Sequence, residues 1–512
     1  VTFAELEAAS NRCAHALAHA GIQRGMRTLV MVRSAPDFLR ITFGLLKLGA
    51  VPVMIDPGMG VDRMLDCVRQ VDLHAFAGIP LAQAMRTVRR GPFATVEHVV
   101  TVGRRWFWGG ASLRKLEREA SHDVVLAETA AHDVAAILFT SGSTGPAKGV
   151  VYEHGMFGAQ VAAIQRHYAI EPGEIDVATF PLFGLFSTAM GMTSVIPIMN
   201  PSRPARVDPA RIVEAIQDQG ATSAFGSPAV WKRVGAYGAA HGVTLPTLRR
   251  ILISGAPVPP ATLEQLLRII GPAADVYTPY GATESLPVAS IGARQVLAEC
   301  SARTREGAGT CVGTSFSGVD VRLIRITDDP VPRWTPELLV PDGDLGEITV
   351  AGPAVTKEYF GLPEATARAK IADDGRVWHR IGDIGYRDQH GRLWFCGRKS
   401  HRVITEHGTM LTVRCEAIFN EHPDVSRSAL VGVGQPGWQR PVVVVEPKPG
   451  RYPRGGAQVD AMCAELLELG RGNELTAQVR DVLVHRSLPV DVRHNAKINR
   501  EALSRWAAKR VS

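Results

Sequence analysis

The sequence predicts an α/β protein: a large N-terminal domain of α/β subdomains plus a β-rich subdomain, then a small α+β C-terminal domain. Three observations carry this expectation. Upstream of about Gly307, short apolar runs alternate with helical patterns, and many runs end in glycine. From Gly307 the runs shorten and are separated by turns such as Asp342-Gly343-Asp344 and Gln389-His390-Gly391, which reads as antiparallel β structure. Past Gly397 a hairpin, a helix and a few strands form a separate unit. The expected domains are 1–399, with the β-rich part at about 307–399, and 400–512. A chain of 512 residues is too long for one core.

Thr2 to Ala20 predicts an amphipathic helix, because Phe3, Leu6, Ala9, Cys13 and Leu17 recur at helical spacing and Gly21 and Gly25 follow. Thr28–Val32 and Gly49–Ile55 read as strands around a helix at Pro36–Leu48. Gly60–Val71 repeats the helical theme. Between Arg86 and Asp133 the pattern is hard to read. Trp106, Phe107 and Trp108 stand beside Gly109-Gly110, and Leu113–Glu119 is helical in pattern. Val134–Phe139 predicts a buried strand and Val150-Val151 another. His154–Tyr168 predicts a helix and Asp176–Pro181 a strand. Pro209–Gln219 and Leu263–Ile269 read as helices, and Ala221–Phe225, Leu248–Ser254 and Val276–Tyr280 as strands. Open α/β sheets hold ligands where such strands end.

In the β-rich part, Val319–Ile326, Gly346–Ala351, Val377–His379 and Leu393–Phe395 read as strands. In the small domain, Arg402–Thr405 and Met410–Val413 read as a hairpin about Gly408, with a helix at Arg414–Glu421. Val425–Val433, Val442–Glu446 and Asp481–His485 read as strands, and Gln458–Leu469 and Glu474–Val479 as helices.

Hydrophobic content of 46% and charged content of 21% are ordinary for a globular protein. A net charge of +7 is mild for this length and would attract an anionic substrate. No Lys/Arg run is dense enough to indicate nucleic acid; Arg86, Arg89 and Arg90 read as a solvated face. The seven cysteines are scattered without zinc spacing, which points to reduced thiols and a cytoplasmic protein. No signal peptide opens the chain, and the absence of an initiator methionine before Val1 points to an N-terminus upstream. Val177–Ser202 is uncharged and long enough to span a bilayer. It contains Pro181, Pro197 and Pro201 and lacks an aromatic belt, so a buried strand plus core helix is the expectation and no transmembrane segment.

The densest chemistry lies directly after the Val134–Phe139 run, in Thr140 to Gly149, TSGSTGPAKG. Gly142, Gly145 and Gly149 allow backbone N–H groups to turn towards an anion. Thr140, Ser141, Ser143 and Thr144 add hydroxyl donors, and Lys148 adds a cation. A polyphosphate needs many donors, little bulk and a charge. The loop is not a Walker A motif, because Lys148 is followed by Gly149 rather than Ser or Thr. Tyr280-Gly281-Ala282-Thr283-Glu284 also follows an expected strand. Its aromatic can stack on a base, Gly281 permits close approach, Thr283 can donate to phosphate, and Glu284 can hold Mg²⁺.

These motifs, in this order, resemble the adenylate-forming superfamily of acyl-CoA synthetases, luciferase and peptide-synthetase adenylation domains. The resemblance implies ATP as substrate with Mg²⁺, residues 140–145 and Lys148 on the phosphates, Tyr280 on adenine, Thr283 on the α-phosphate and Glu284 on the metal. It places Gly255, Ala256 and Pro257 in the adenine turn. Gly382-Asp383 and Gly397-Arg398 resemble the ribose elements, which puts Asp383 and Arg398 on the ribose. Asn495-Ala496-Lys497-Ile498-Asn499-Arg500 resembles the last family motif, whose lysine reaches the acyl carboxylate and α-phosphate, so Lys497 joins Thr283 and Glu284 as a catalytic residue. The small domain would be a mobile lid, with a hinge at Ser400.

Several positions depart from the wider family. Pro181-Leu182-Phe183-Gly184 resembles an acyl-pocket motif, with Gly184 where many acyl-CoA synthetases carry histidine. Ser400 replaces the usual Asp or Lys, His401–Val413 lacks the common lysine and Gly-Phe-Arg pattern, and Ala496 replaces a glycine. The altered hinge puts transfer to an external thiol in doubt and leaves adenylation intact. With SGSTGPAKGVVYEHGMF, PLFGLFSTAMGM and DVRHNAKINR, these departures resemble the branch that forms β-lactones in bacterial long-chain olefin biosynthesis. That resemblance implies a 2-alkyl-3-hydroxy fatty acid substrate and leaves association with other enzymes of the pathway open. Phe183, Gly184, Phe225 and Trp231 are the expected acyl-pocket walls. His154 and His401 are the candidates for a base. A long-chain acyl-CoA synthetase, a carrier-loading domain and an ATP- or acyl-binding protein without catalysis remain alternatives.

Overall fold

The computed structural model describes residues 1–33, 36–139, 146–490 and 497–511, except the side chain of Pro57. Three large sheets and a small terminal domain account for the chain. The first sheet runs in the order Ala111–Ser112, His98–Thr101, Ala75–Gly78, Arg27–Met31, Val51–Met54, Val134–Phe139, Gly149–Glu153. Every pairing is parallel except the last, where Val134–Phe139 meets Gly149–Glu153 antiparallel. Strand alternation puts Leu29 and Phe76 in one core, with Val53, Leu65 and Ile137. Val30, Ala75 and Ala77 enter the other, against Leu17, Ile41 and Leu45. Both faces are therefore covered, as a parallel sheet requires. The Phe3–His19 helix is closed by a capping box between Thr2 and Glu5.

The second sheet is wholly parallel: Asp275–Tyr277, Arg250–Ile253, Ser223–Gly226, Ile175–Ala178, Thr193–Val195. The uncharged stretch from Val177 folds into the Ile175–Ala178 strand, the Pro181–Ala189 helix and the Thr193–Val195 strand. Among the described residues, no helix is long and apolar enough to cross a membrane. The third sheet is antiparallel and holds, in order, Tyr280–Ala282, Ser285–Ser290, Thr310–Ser315, Leu393–Arg398, Arg376–Arg387, Gly346–Ala351 and Asp320–Ile324, with Lys370–Asp373 beside Arg376–Arg387. In the small domain a Val403–Thr405/Gly408–Met410 hairpin precedes a three-stranded sheet of Val425–Val433, Arg440–Pro447 and Asp481–Val484. All seven cysteines are free.

Several expectations are corrected, among them the second arm of the small-domain hairpin, which is Gly408–Met410 rather than Met410–Val413 because a helix already starts at Thr412. Val276–Tyr280 is not one strand: Asp275–Tyr277 ends the second sheet, and Tyr280 starts a strand of the third. Thr278 and Pro279 break the run, and a proline cannot donate to a ladder. Glu474–Val479 is not a helix but a series of turns. There Asn473 Oδ1 accepts from the Leu475 N–H at 3.0 Å and Thr476 Oγ1 donates to the Gly470 carbonyl at 2.7 Å, so side chains take over the local bonding. The third sheet also begins at Tyr280, upstream of Gly307.

Candidate functional site

The step from the second sheet to the third brings Tyr280, Gly281, Thr283, Glu284, Asp383 and Arg398 together. Gly281 sits where an added Cβ would lie 2.9 Å from the Ser285 carbonyl oxygen, so the hairpin closes only around glycine. That hairpin carries Tyr280 on one arm and Thr283 and Glu284 at its turn. Tyr280 donates its hydroxyl to Asp383 Oδ2 at 2.6 Å. Asp383 and Arg398 are direct cross-strand partners on the Arg376–Arg387 and Leu393–Arg398 strands, and Arg398 Nε lies 3.0 Å from Asp383 Oδ1. That contact is ionic only: Asp383 Oδ1 is buried without a hydrogen bond. A buried carboxylate oxygen lacking a donor is costly unless a ligand supplies one. Burial raises the Asp383 carboxyl, opposed by Arg398, the Tyr280 hydroxyl and the charge of Lys497. The small domain therefore rests with Lys497 within electrostatic reach of Asp383.

Glu284 is held from three sides. Its Oε1 accepts from the Tyr359 hydroxyl at 2.7 Å. Its backbone carbonyl accepts from the Thr356 N–H at 2.9 Å and the Thr356 hydroxyl at 3.0 Å. The neighbouring Thr283 carbonyl accepts from the Tyr152 hydroxyl. Lys148 places its ammonium 4.8 Å from the centre of the Tyr359 ring, a cation–π contact. The segment with Thr356 and Tyr359 is stitched to the first sheet, where the Phe360 N–H donates to the Gly149 carbonyl at 2.8 Å. One tyrosine thus links Lys148 of the first sheet to Glu284 of the third.

Behind this group lies a buried lysine. Lys370 Nζ donates to the Thr356 carbonyl and bonds Thr356 Oγ1 at 3.2 Å. Burial pushes its ammonium down to about 7, against the pull of Glu284. His379 is its cross-strand partner, and burial together with the Lys370 charge keeps that imidazole well below the usual histidine range.

The other candidates fall in three places. Gly255, Ala256 and Pro257 follow the Arg250–Ile253 strand, with Gly255 at φ +104°. Phe183 and Phe225 stack face to face, centroids 3.8 Å apart. Gly184 faces Ser194, whose Oγ would sit 3.2 Å from an added Cβ. Trp231 does not join this stack: it is fully buried in the core of the second sheet, under Gly226. Ser400 lies in a single 3-10 turn, Lys399–His401. On either side of it, Lys399 bonds Glu347 at 3.0 Å and the Thr327 carbonyl at 2.7 Å, and Arg402 pairs with Asp328. Burial and the charges of Arg500 and Arg398 drive His401 down to about 3, so it is neutral beside Arg398. His154 stands apart, its N–H on the Asp133 carbonyl. Thr140, Ser141, Gly142, Ser143, Thr144 and Gly145, like Asn495 and Ala496, lie outside the described residues.

Sequence reasoning missed Tyr152, Thr356, Tyr359 and Lys370. Nothing local marks them, because each acts through a partner more than a dozen residues away. A buried-strand position filled by lysine, at Lys370 after Ala369, is the one local irregularity that could have drawn notice.

Known proteins share this architecture. A family model described as AMP-binding enzyme matches residues 1–360. An olefin beta-lactone synthetase of Xanthomonas campestris pv. campestris is 48% identical over 99% of this chain and 91% of its own length. One of Stenotrophomonas maltophilia is 47% identical over the same shares. Among solved structures, the amide bond synthetase McbA from Marinactinospora thermotolerans superposes with a TM-score of 0.80, at 24% identity, over 99% of this chain and 94% of that one; this likeness concerns the fold. With 360 of its residues matched by the family model and near-half identity to two full-length relatives, the chain belongs to the AMP-binding, adenylate-forming enzyme family.

Proposed function

We propose that this enzyme adenylates a 2-alkyl-3-hydroxy fatty acid and closes it to a β-lactone, releasing pyrophosphate and AMP. The observation that carries the reading is the 47–48% identity, over 99% of the chain, to two relatives named for that product. Long-chain-fatty-acid–CoA ligases align at 26% identity, which makes them the second reading.

In the first step the substrate carboxylate attacks the α-phosphorus of ATP and pyrophosphate leaves. Residues 140–145 and Lys148 would receive the phosphates. Thr283 would donate to the α-phosphate, and Tyr280 with the Gly255–Pro257 turn would flank adenine. The bare Oδ1 of Asp383 supports a ribose hydroxyl donor there, with Arg398 beside it. Lys497 would offset charge between carboxylate and phosphate. The donor set at Glu284 suits Mg²⁺: among the described residues no group of three or more His, Cys, Asp or Glu forms a cage, and Mg²⁺ takes much of its shell from phosphate and water. When bound, the ion neutralises charge on the phosphates.

In the second step the 3-hydroxyl oxygen attacks the acyl carbonyl, the C–O bond to AMP breaks, and the hydroxyl proton passes to a base. A neutral His401 beside Arg398 is better placed for that than His154, although an imidazole pushed so low is a weak base. Ring strain opposes closure, but a nucleophile held at attack distance gains an effective molarity of up to roughly 10⁸ M. Phe183, Phe225 and the Gly184 face would wall the acyl chain and exclude water, which would otherwise hydrolyse the adenylate. The domains divide at a hinge on Ser400. Seven free thiols support a reducing, cytoplasmic setting.

The test incubates the protein with Mg·ATP and a 2-alkyl-3-hydroxy fatty acid, with and without coenzyme A, and follows AMP and the organic product by NMR. A four-membered lactone carbonyl formed without coenzyme A is the expected result. AMP release that waits for coenzyme A and yields a thioester overturns the proposal in favour of the ligase.

A further inference from the structure

The run Arg104-Arg105-Trp106-Phe107-Trp108 plays no part in the chemistry above. It connects the His98–Thr101 strand to Ala111–Ser112 at the outer end of the first sheet. Trp108 is buried and donates its Nε1–H to Thr101 Oγ1 at 3.0 Å. Trp106 and Phe107 each pack one side on it, at 5.5 and 5.2 Å between centroids, yet remain 58% and 78% exposed. Arg105 closes the loop by donating to the Gly110 carbonyl at 2.6 Å. Gly110, at φ +86°, comes so close to Val99 that a Cβ would lie 2.4 Å from its carbonyl oxygen. The projection is therefore built from its base: one tryptophan is the footing, and two aromatics are held out in water.

Its surroundings share this character. Gly103 abuts Pro80 at the start of the Pro80–Val88 helix. On that helix Leu81 and Val88 are 76% and 79% exposed and lie two turns apart on one face. Neither 80–93 nor 102–115 contains an acidic residue. Asp62 and Asp66 stand near Arg89 and Arg90 at the far end of the helix, whereas Arg104 and Arg105 form no ion pair among the described residues.

We infer that this loop is an attachment site for an anionic lipid surface. Trp and Phe at the tip would enter the interfacial layer, with Arg104 and Arg105 at the level of acidic headgroups. Area favours lipid over a protein partner. The two tip aromatics expose roughly 300 Å², well short of the ~800 Å² that a stable protein interface needs from each side. The loop leaves the same strand-end edge as Val134–Phe139, four strand spacings or about 20 Å away. Attachment there would bring the phosphate-binding edge alongside the bilayer without blocking it. The inference does not depend on which acid is the substrate.

The test is co-sedimentation of the full chain with vesicles of phosphatidylcholine alone and of phosphatidylcholine with 30% phosphatidylglycerol, at low and 0.5 M salt. The expected result is several-fold more protein on the anionic vesicles, reduced by salt. Trp106→Ser/Phe107→Ser and Arg104→Glu should each lower that binding at least fivefold, with melting temperature and pyrophosphate release from a dispersed substrate unchanged. Equal binding to both vesicles, a wild type left in the supernatant, or variants that bind like wild type overturn the inference. So does a change of oligomeric mass in the variants without vesicle binding, which would make the loop a protein interface.

Discussion

Lys370 concentrates the electrostatics of the site in one side chain. It is 8% exposed, bonded to Thr356, and its charged form is disfavoured by burial, so its folded-state value falls to about 7. An unfolded lysine titrates at about 10.4. Below about pH 7 both states hold the proton, and the burial cost is fully present and constant. Between about 7 and 10.4 the unfolded chain binds more protons than the folded one. Stability from this group therefore rises with pH there, by up to about 1.4 kcal/mol per unit. Lys370→Met lacks that dependence. Melting temperatures of both proteins between pH 7 and 9 should show the wild type gaining on the variant by several degrees. Parallel curves would mean that Lys370 keeps an ordinary lysine value. The same substitution removes the bond to Thr356, which clamps the Glu284 carbonyl, so pyrophosphate release should also fall, most at low Mg²⁺.

The Tyr280–Ala282/Ser285–Ser290 hairpin carries Tyr280, Thr283 and Glu284 together, so on the proposed function the geometry of the bound nucleotide would depend on it. Gly281→Ala would set a methyl 2.9 Å from the Ser285 carbonyl oxygen and 3.1 Å from Leu286 Cβ. Overpacking of this kind costs about 1–3 kcal/mol. The expected outcome is a melting temperature lower by a few degrees and a KM for ATP raised about tenfold or more. Unchanged ATP kinetics would detach the hairpin from the nucleotide. The hairpin also marks the limit of what the sequence made legible. Local patterning predicted Val134–Phe139, His154–Tyr168 and Gly346–Ala351 with the bounds observed, because the two strands are short runs buried on both faces and the helix buries one stripe. It read Val276–Tyr280 as one strand, since an apolar run carries no sign of which sheet its end joins. Tyr280, Asp383 and Arg398 were legible as motifs; their mutual contact over more than 100 residues was not. Tyr359 and Thr356 escaped notice for the same reason: each holds Glu284 from some 75 positions away.

At the scale of the whole molecule, the orientation of the small domain bears on which reaction the enzyme completes. Arg402 pairs with Asp328, and Arg414 donates to the Gly307 carbonyl at 2.8 Å. Thr412 closes over Gly397, where a Cβ would meet its Oγ1 at 2.8 Å. In this arrangement the charge of Lys497 acts on Asp383, which suits the role in adenylation proposed for that lysine. An external thiol would have to be admitted by swinging the small domain away. An internal hydroxyl already lies in the substrate and requires no such opening. Both steps of the proposed lactone synthesis can then run in one orientation, and Ser400 tests this. It sits in the first turn of a 3-10 helix, a position that accepts proline, and proline would fix its φ and stiffen the hinge. Ser400→Pro should release pyrophosphate and form lactone within about threefold of the wild-type rate, as followed by stopped-time NMR. A burst of pyrophosphate at the wild-type rate followed by lactone formation slowed a hundredfold would show that closure needs the domain to turn, and the single-orientation view would fall.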